Sequence, residues 1–282
     1  MRALFFTTCL LLLPAQLSAG AWVQPKGQTQ NIVTYRYYET DEFFDLSGDE
    51  RDKNGRYTKH EIQYYAEYGW RDTITLGTSL FMADETDTQR FISRDPFTGA
   101  LAEQERVLEL QGLHRSDIFL RYQLYRDDVY AVAIQPLLTL PAAYTGGVPR
   151  QVVEEDGALE LGIMGGRNFT WLGRTHYVDT RLAYRQRFHA DDQILMEALA
   201  GFRVANRWTV MPELQYTAAV GGVDSRLTTI AGQNNYDLLK LQISALYQVN
   251  DKFGIQAGVF THADGVNTGG GGGALLSLWL QF

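Results

Sequence analysis

The residues whose types and spacing come nearest to covalent chemistry are His114 and Ser116, in the stretch "HRS". Two residues apart on a strand, both side chains share one face. An imidazole beside a hydroxyl is the start of an activated nucleophile, and Asp84 on the preceding strand is expected on the same outward face near the outer rim, where a carboxylate could orient the ring. A histidine and a serine at a loop-to-strand boundary are ordinarily just solvated, however, and the expectation is that the chain is not an enzyme. His60, His176, His189 and His262 have no metal-ligand spacing. The run Gly269 to Gly273 lacks the helix and lysine of a phosphate cradle and reads as a surface loop. No metal and no cofactor are expected.

A larger set of candidate residues is ionic and recurs with a period of two. It comprises Lys59, Glu61 and Glu67, then Arg115, Asp117 and Arg121, then Asp179, Arg181, Arg185 and Arg187. Glu197, Arg203, Glu213 and Lys240 complete it. The alternate positions are oily: His60, Ile62, Tyr64, Ala66 and Tyr68 oppose the first group, and Ile118, Leu120, Tyr122 and Leu124 the second. If these segments line a membrane barrel, the charged set must face the lumen, because Arg or Lys facing lipid at mid-depth costs about 2–4 kcal/mol each. Such an interior is either a selective passage for a polar solute or a set of ion pairs filling the lumen.

The elements that would position these residues are twelve strands. The alternation places them at Gln28–Asp41, Arg56–Gly69, Thr73–Glu85, Gly112–Tyr125, Val129–Leu140 and Gly157–Phe169. The second six are Arg174–Phe188, Gln193–Ala205, Trp208–Val220, Tyr236–Val249, Phe253–Ala263 and Gly273–Phe282. Tight connections such as "WRD", "RDD", "TWLG", "NR" and "NDK" alternate with longer ones, Glu42–Gly55, Thr86–Gln111, Pro141–Asp156, Gly221–Asn235 and "DGVNTGGGG". Short turns at one end and long loops at the other describe an all-β, antiparallel transmembrane β-barrel of about twelve strands with both termini in the periplasm. A soluble β-sandwich with one busy end is the rival architecture.

The two ends of the chain agree with export to an outer membrane. Met1–Ala21 has Arg2, the apolar run "ALFFTTCLLLL" and the small-residue stretch "LSAGA", the layout of a secretory signal peptide. Cleavage is expected after Ala19 or Ala21, giving a signal peptide at 1–21 and a barrel domain at 22–282. At the other end Ala274, Leu276, Leu278, Leu280 and Phe282 alternate with Leu275, Ser277, Trp279 and Gln281. Phe282, Leu280 and Leu278 are accordingly the expected assembly signal. Cys9 is the only cysteine and lies in the leader, so the mature chain has no disulfide or thiolate site. The formal net charge is −8, which gives nucleic acid binding no support. With 16 Tyr, 14 Phe and 5 Trp the chain is well supplied for interface girdles.

The mature start "GAWVQPKGQTQ", the hairpin "KHEIQYYAEYGWRDTITLGTSLF", the stretch "SDIFLRYQLYRDD" with "VYAVAIQPLLTLPA", and "TGGGGGALLSLWLQF" together resemble the XagA-like outer-membrane proteins. That group resembles in turn the broader set of barrels named after the meta-pathway of phenol degradation. The resemblance spans nearly the whole mature chain, through barrel-building features rather than a catalytic signature. It implies a barrel passing or anchoring a solute, with a role in biofilm polysaccharide export, or alternatively an uptake channel for small organic compounds. The implied partners are outer-membrane lipids, the outer-membrane assembly machinery and a polysaccharide or small-molecule solute. His114 and Ser116 are also similar to the His-x-Ser of outer-membrane phospholipase, but Asp117 and Ile118 stand where that family has Asn-Gly.

Overall fold

The computed structural model describes residues 20–94, 99–140, 143–145, 157–188, 190–221 and 235–282. The expected leader as far as residue 19, His189, and most of the expected loops 141–156 and 221–235 lie outside them. Fourteen strands are present among the described residues: β1 (Thr29–Phe44), β2 (Glu50–Arg71), β3 (Ile74–Arg94), β4 (Leu101–Arg126), β5 (Tyr130–Leu140), β6 (Ala143–Thr145), β7 (Ala158–Trp171), β8 (Arg174–Arg187), β9 (Gln193–Ala205), β10 (Trp208–Ala219), β11 (Asp237–Asn250), β12 (Phe253–Val266), β13 (Thr268–Gly269) and β14 (Gly272–Gln281). Each wall strand pairs antiparallel with its neighbours, and β1 pairs with both β2 and β14. The sheet is therefore a closed barrel of twelve wall strands, with β6 and β13 as short additions against β4 and β1.

Closure leaves no sheet edge in the wall, which is what allows strands to cross a membrane with every backbone group paired. The outer surface carries the oily alternate positions: Ile62, Ile118, Leu161, Ile163, Ile243, Val259 and Leu276 are each half exposed or more. Tyr68, Trp70, Tyr125, Tyr130, Trp171 and Trp208 are exposed near the short-turn end, the level at which aromatic girdles meet the interface. Turns at that end are locally specified. Asp127 Oδ1 accepts from the amides of Val129 (2.8 Å) and Tyr130 (2.6 Å), and Asn250 Oδ1 from those of Lys252 and Phe253 (both 2.9 Å). Leu172 and Gly173 both have positive φ, 50° and 71°, in a two-residue turn whose twist matches a hairpin.

Several expected loops are strand. The segment Thr86–Gln111 is largely the continuation of β3 and β4, which pair as far as Arg94 with Leu101. β2 starts at Glu50 rather than Arg56, and residues of the "DGVNTGGGG" run belong to β12 and β13. Polar, charged strands read as loops because alternation of apolar residues stops where lipid stops. β2 pairs with β3 only up to Gly55 and Gln89. Beyond that level, among the described residues, β3 and β4 continue together as a two-stranded ribbon.

Candidate functional site

Charged side chains of the alternate set stand on the inner surface in two ionic groups. On one side Arg36 Nη1 meets Glu61 Oε1 at 3.0 Å, and Lys59 Nζ lies 3.4 Å from Glu61 Oε2 and 3.2 Å from Glu85 Oε1. Lys53 pairs with Asp87, and Arg115 Nε lies 3.1 Å from Asp117 Oδ2. On the other side Arg181 pairs with Glu160 and, at 2.7 Å, with Glu197. Arg185 Nη2 lies 3.0 Å from the second oxygen of the same Glu160. Glu160, fully enclosed, thus joins both arginines. Glu213 accepts hydrogen bonds from Gln242 (2.9 Å) and Gln215 rather than from either arginine. Arg187 Nη2 donates to Asn235 (2.7 Å) near the long-loop end, Lys240 lies over the Phe260 ring at 4.5 Å, and Arg203 pairs in register with Thr209.

Nearer the short-turn end residues Gly20–Gln24, which form no strand, lie inside the lumen. Ala21, Trp22 and Val23 are almost completely enclosed. Side chains of the wall hold this segment by its backbone. The Ala21 amide donates to Asp179 Oδ1 (3.2 Å), the Val23 amide to Gln123 Oε1 (3.1 Å) and the Gln24 amide to Thr75 Oγ1 (2.7 Å). Gln123 Nε2 returns a bond to the Ala21 carbonyl (3.0 Å), and Arg121 Nη1 one to the Trp22 carbonyl (3.3 Å). The Gln24 side chain donates to Gln30 (2.9 Å) and Glu67 (2.8 Å). Arg121, 1% exposed, also pairs with Glu67 Oε1 at 2.9 Å and donates to Gln135 at 3.1 Å. Ala21 and Trp22 pack on Ala131, Ala133 and Met164. Gly166 makes room for the indole: a β-carbon there would lie 2.2 Å from Trp22 Cζ3. The segment runs from β2 and β3 past β4, β5 and β7 to β8, along the inner face of that side of the wall.

The expected outward trio of His114, Ser116 and Asp84 is not assembled. Between Phe81 and Met82 the register of β4 slips, so that Phe81 faces Arg115 while Met82 faces Leu113, and His114 is the extra residue. The bulge turns His114 inward, where its ring nitrogens lie 3.4 Å from Lys59 Nζ and 3.6 Å from Glu85 Oε1. Ser116 stays paired with Leu80 on the outer face. A one-residue slip exchanges faces, and nothing in the local residue types announces it. His60 and His176 serve aromatic clusters on the outer surface, and His262 stacks on Tyr38 with centroids 4.8 Å apart. No group of His, Cys, Asp and Glu among the described residues could hold a metal ion.

Sequence reasoning missed Arg36, Glu85 and Glu160, although alternation alone carries each of them to the inner face. It also missed the luminal segment Gly20–Gln24, which is short, mixed in character and without periodicity.

No family model and no curated protein matches the chain. Among solved structures, the COG4313 outer membrane channel from Pseudomonas putida F1 aligns with a TM-score of 0.59 at 14% identity, covering 94% of this chain and 99% of that one. The translocator domain of autotransporter NalP from Neisseria meningitidis gives 0.52 at 11% identity, covering 92% and 90%. The NanC porin gives 0.51 at 7% identity, covering 89% and 98%. At these identities the likeness is one of fold: an outer-membrane β-barrel.

Proposed function

We propose that the chain is an outer-membrane channel for a small organic solute, closed at rest by Gly20–Gln24. The observation that carries this reading is the manner in which the segment is held. It lies inside the bore on side-chain hydrogen bonds to the wall, outside any strand ladder, so it can leave without opening the wall. A barrel that served only as an anchor gains nothing from a removable floor. Two of the three solved structures named above are, by name, a channel and a porin, which supports passage as the class of activity.

For the solute, the supporting feature lies on the long-loop side of the plug. There Tyr38 stacks on His262 and, at 6.2 Å, on Phe260, with Lys240 over the Phe260 ring and Lys53 over Tyr57. Flat faces next to cations suit a ring compound bearing a polar or anionic group. A glycan is the second reading: sugar rings also stack on aromatic faces, and the sequence resembles XagA-like proteins. Against the glycan, the chain of ion pairs from Glu197 through Arg181 and Glu160 to Arg185 commits these side chains to one another along the wall of β7, β8 and β9.

In a planar bilayer, deletion of residues 20–24 from the mature chain is expected to raise conductance sharply over the closed wild type. Proteoliposomes of the deletion should then swell in an aromatic carboxylate faster than in an oligosaccharide. Equal currents from folded wild type and folded deletion would overturn the channel reading. Faster swelling in the oligosaccharide would favour the glycan.

A further inference from the structure

Asp179 is a carboxylate on the inner face of β8, 6% exposed, and no ion pair to it is present among the described residues. Its near neighbour Arg121 is committed to Glu67 and Gln135. What touches Asp179 is the start of the plug: the Ala21 amide donates to Oδ1 at 3.2 Å, and Gly20 lies directly against the carboxylate. A β-carbon on Gly20 would fall 2.4 Å from Oδ1 and 2.6 Å from Oδ2, so any larger residue would have to displace the carboxylate. The Gly20 nitrogen is one bond, about 1.5 Å, from that α-carbon. A buried carboxylate without a counter-charge is costly, and the group beside it is one that proteolysis would convert from a neutral amide into a cation.

We infer that the exported chain is cut between Ala19 and Gly20, and that the Gly20 α-ammonium so released is the ionic partner of Asp179. Hydrolysis of that peptide bond adds water, leaves a carboxylate on Ala19 of the leader and an amine on Gly20, and the amine is protonated at neutral pH. The alternative cut after Ala21 fails on two counts. It removes the amide that Asp179 now receives, and it puts a new ammonium on Trp22, whose surroundings are Ala131, Ala133 and Met164. An uncut chain leaves Asp179 facing an uncharged amide. Ala19 supplies the small residue that a processing enzyme reads before the cut, and glycine at 20 lets the new terminus lie against the carboxylate without displacing it.

The pair pins the far end of the plug to β8 while Gln24 holds its near end to β2 and β3. Its role as a latch rests on the channel reading; the cut site and the ion pair do not. Intact mass and N-terminal peptide mapping of protein purified from outer membranes should find Gly20 first. A chain starting at Trp22, or one retaining Ala19, overturns the inference. Acylation of the folded protein with an amine-reactive ester, mapped by peptide, should then modify exposed Lys26 and spare Gly20, while in Asp179→Asn the Gly20 amine becomes as reactive as Lys26. Because Asp179→Asn could fail to assemble, Gly20→Ala is the companion variant. Its methyl group would push the carboxylate away from the terminus, so its terminal amine should react more readily while the wall is unaltered. Reaction of Gly20 in wild type, or continued protection in either folded variant, overturns the pair, and neither readout depends on whether the barrel conducts.

Discussion

Two segments meet at the short-turn end of the barrel and are held there by opposite means. β14 is laddered on both edges, to β1 and to β12, and its continuation closes the seam through Thr29 N to Phe282 O (2.8 Å) and Phe282 N to Thr29 O (3.0 Å). Gly20–Gln24, a few residues upstream of Thr29, turns into the lumen instead and hangs on side chains of the wall. A ladder opens only as a unit, whereas side-chain contacts can be exchanged for water or solute one at a time. The difference teaches that one segment is part of the wall itself, while the other could be exchanged without unmaking it.

The largest effect should come from breaking the first half of that contrast. Phe282→Asp places a charge on a lipid-side position that is now 64% exposed as an aromatic ring. Fractionation should show export intact but the heat-modifiable outer-membrane band nearly lost. A normal band would put the two segments on the same footing.

Arg121→Ala tests the floor on which the plug rests. It leaves Glu67 enclosed without its cation, a loss of roughly 3–5 kcal/mol in the unfolding free energy of the refolded barrel. It also frees the Trp22 carbonyl. Arg185→Ala is expected to cost less, about 1.5–3 kcal/mol, because Glu160 keeps Arg181. Equal losses in urea titrations would mean that the plug adds nothing to the enclosure of Arg121.

The smallest effect belongs to the outer turn between β1 and β2, far from both segments. The Arg51 guanidinium at 3.0 Å, with the amides of Ser47 and Asp49, holds the Asp45 carboxyl below the ordinary carboxylate range. A depressed carboxylate contributes stability that is present above its unfolded value and is lost as pH falls through the lower folded one. Amide exchange at Ser47 and Asp49 should therefore quicken only in acid. Arg51→Ala should move that onset toward neutral pH and leave global unfolding unchanged, since exposed pairs are weak.

The wall was legible in the sequence because lipid imposes an alternation that a reader can follow: Ile62 against Glu61, Ile118 against Asp117, Leu276 against Leu275. The outward positions of β2, β4 and β14 follow from it directly. Legibility failed where the solvent changed. Past the membrane, Thr86–Arg94 and Leu101–Gln111 keep their pairing but lose their oily face, so strands looked like loops. It failed at His114, where a bulge reversed the faces. It failed most fully for Gly20–Gln24, because a segment bound by Asp179, Gln123 and Thr75 from three different strands has no pattern of its own. The charged positions could be named from alternation, but their partners could not. Glu160, rather than Glu213, bridges the arginines because register decides which carboxylate lies opposite Arg181 and Arg185.

Among the described residues, the β3–β4 ribbon above the level of Gly55 and Gln89 has no third strand beside it at its tip, where Arg90–Arg94 pair with Leu101–Glu105. A ribbon two strands wide is marginal by itself. Its melting is thus thermodynamically decoupled from that of the wall: fraying can run down from Arg94 and halt where β2 joins the ladder. Changes of length or composition in the tip are absorbed there, and surface variation at this point of the barrel carries no penalty in the register below.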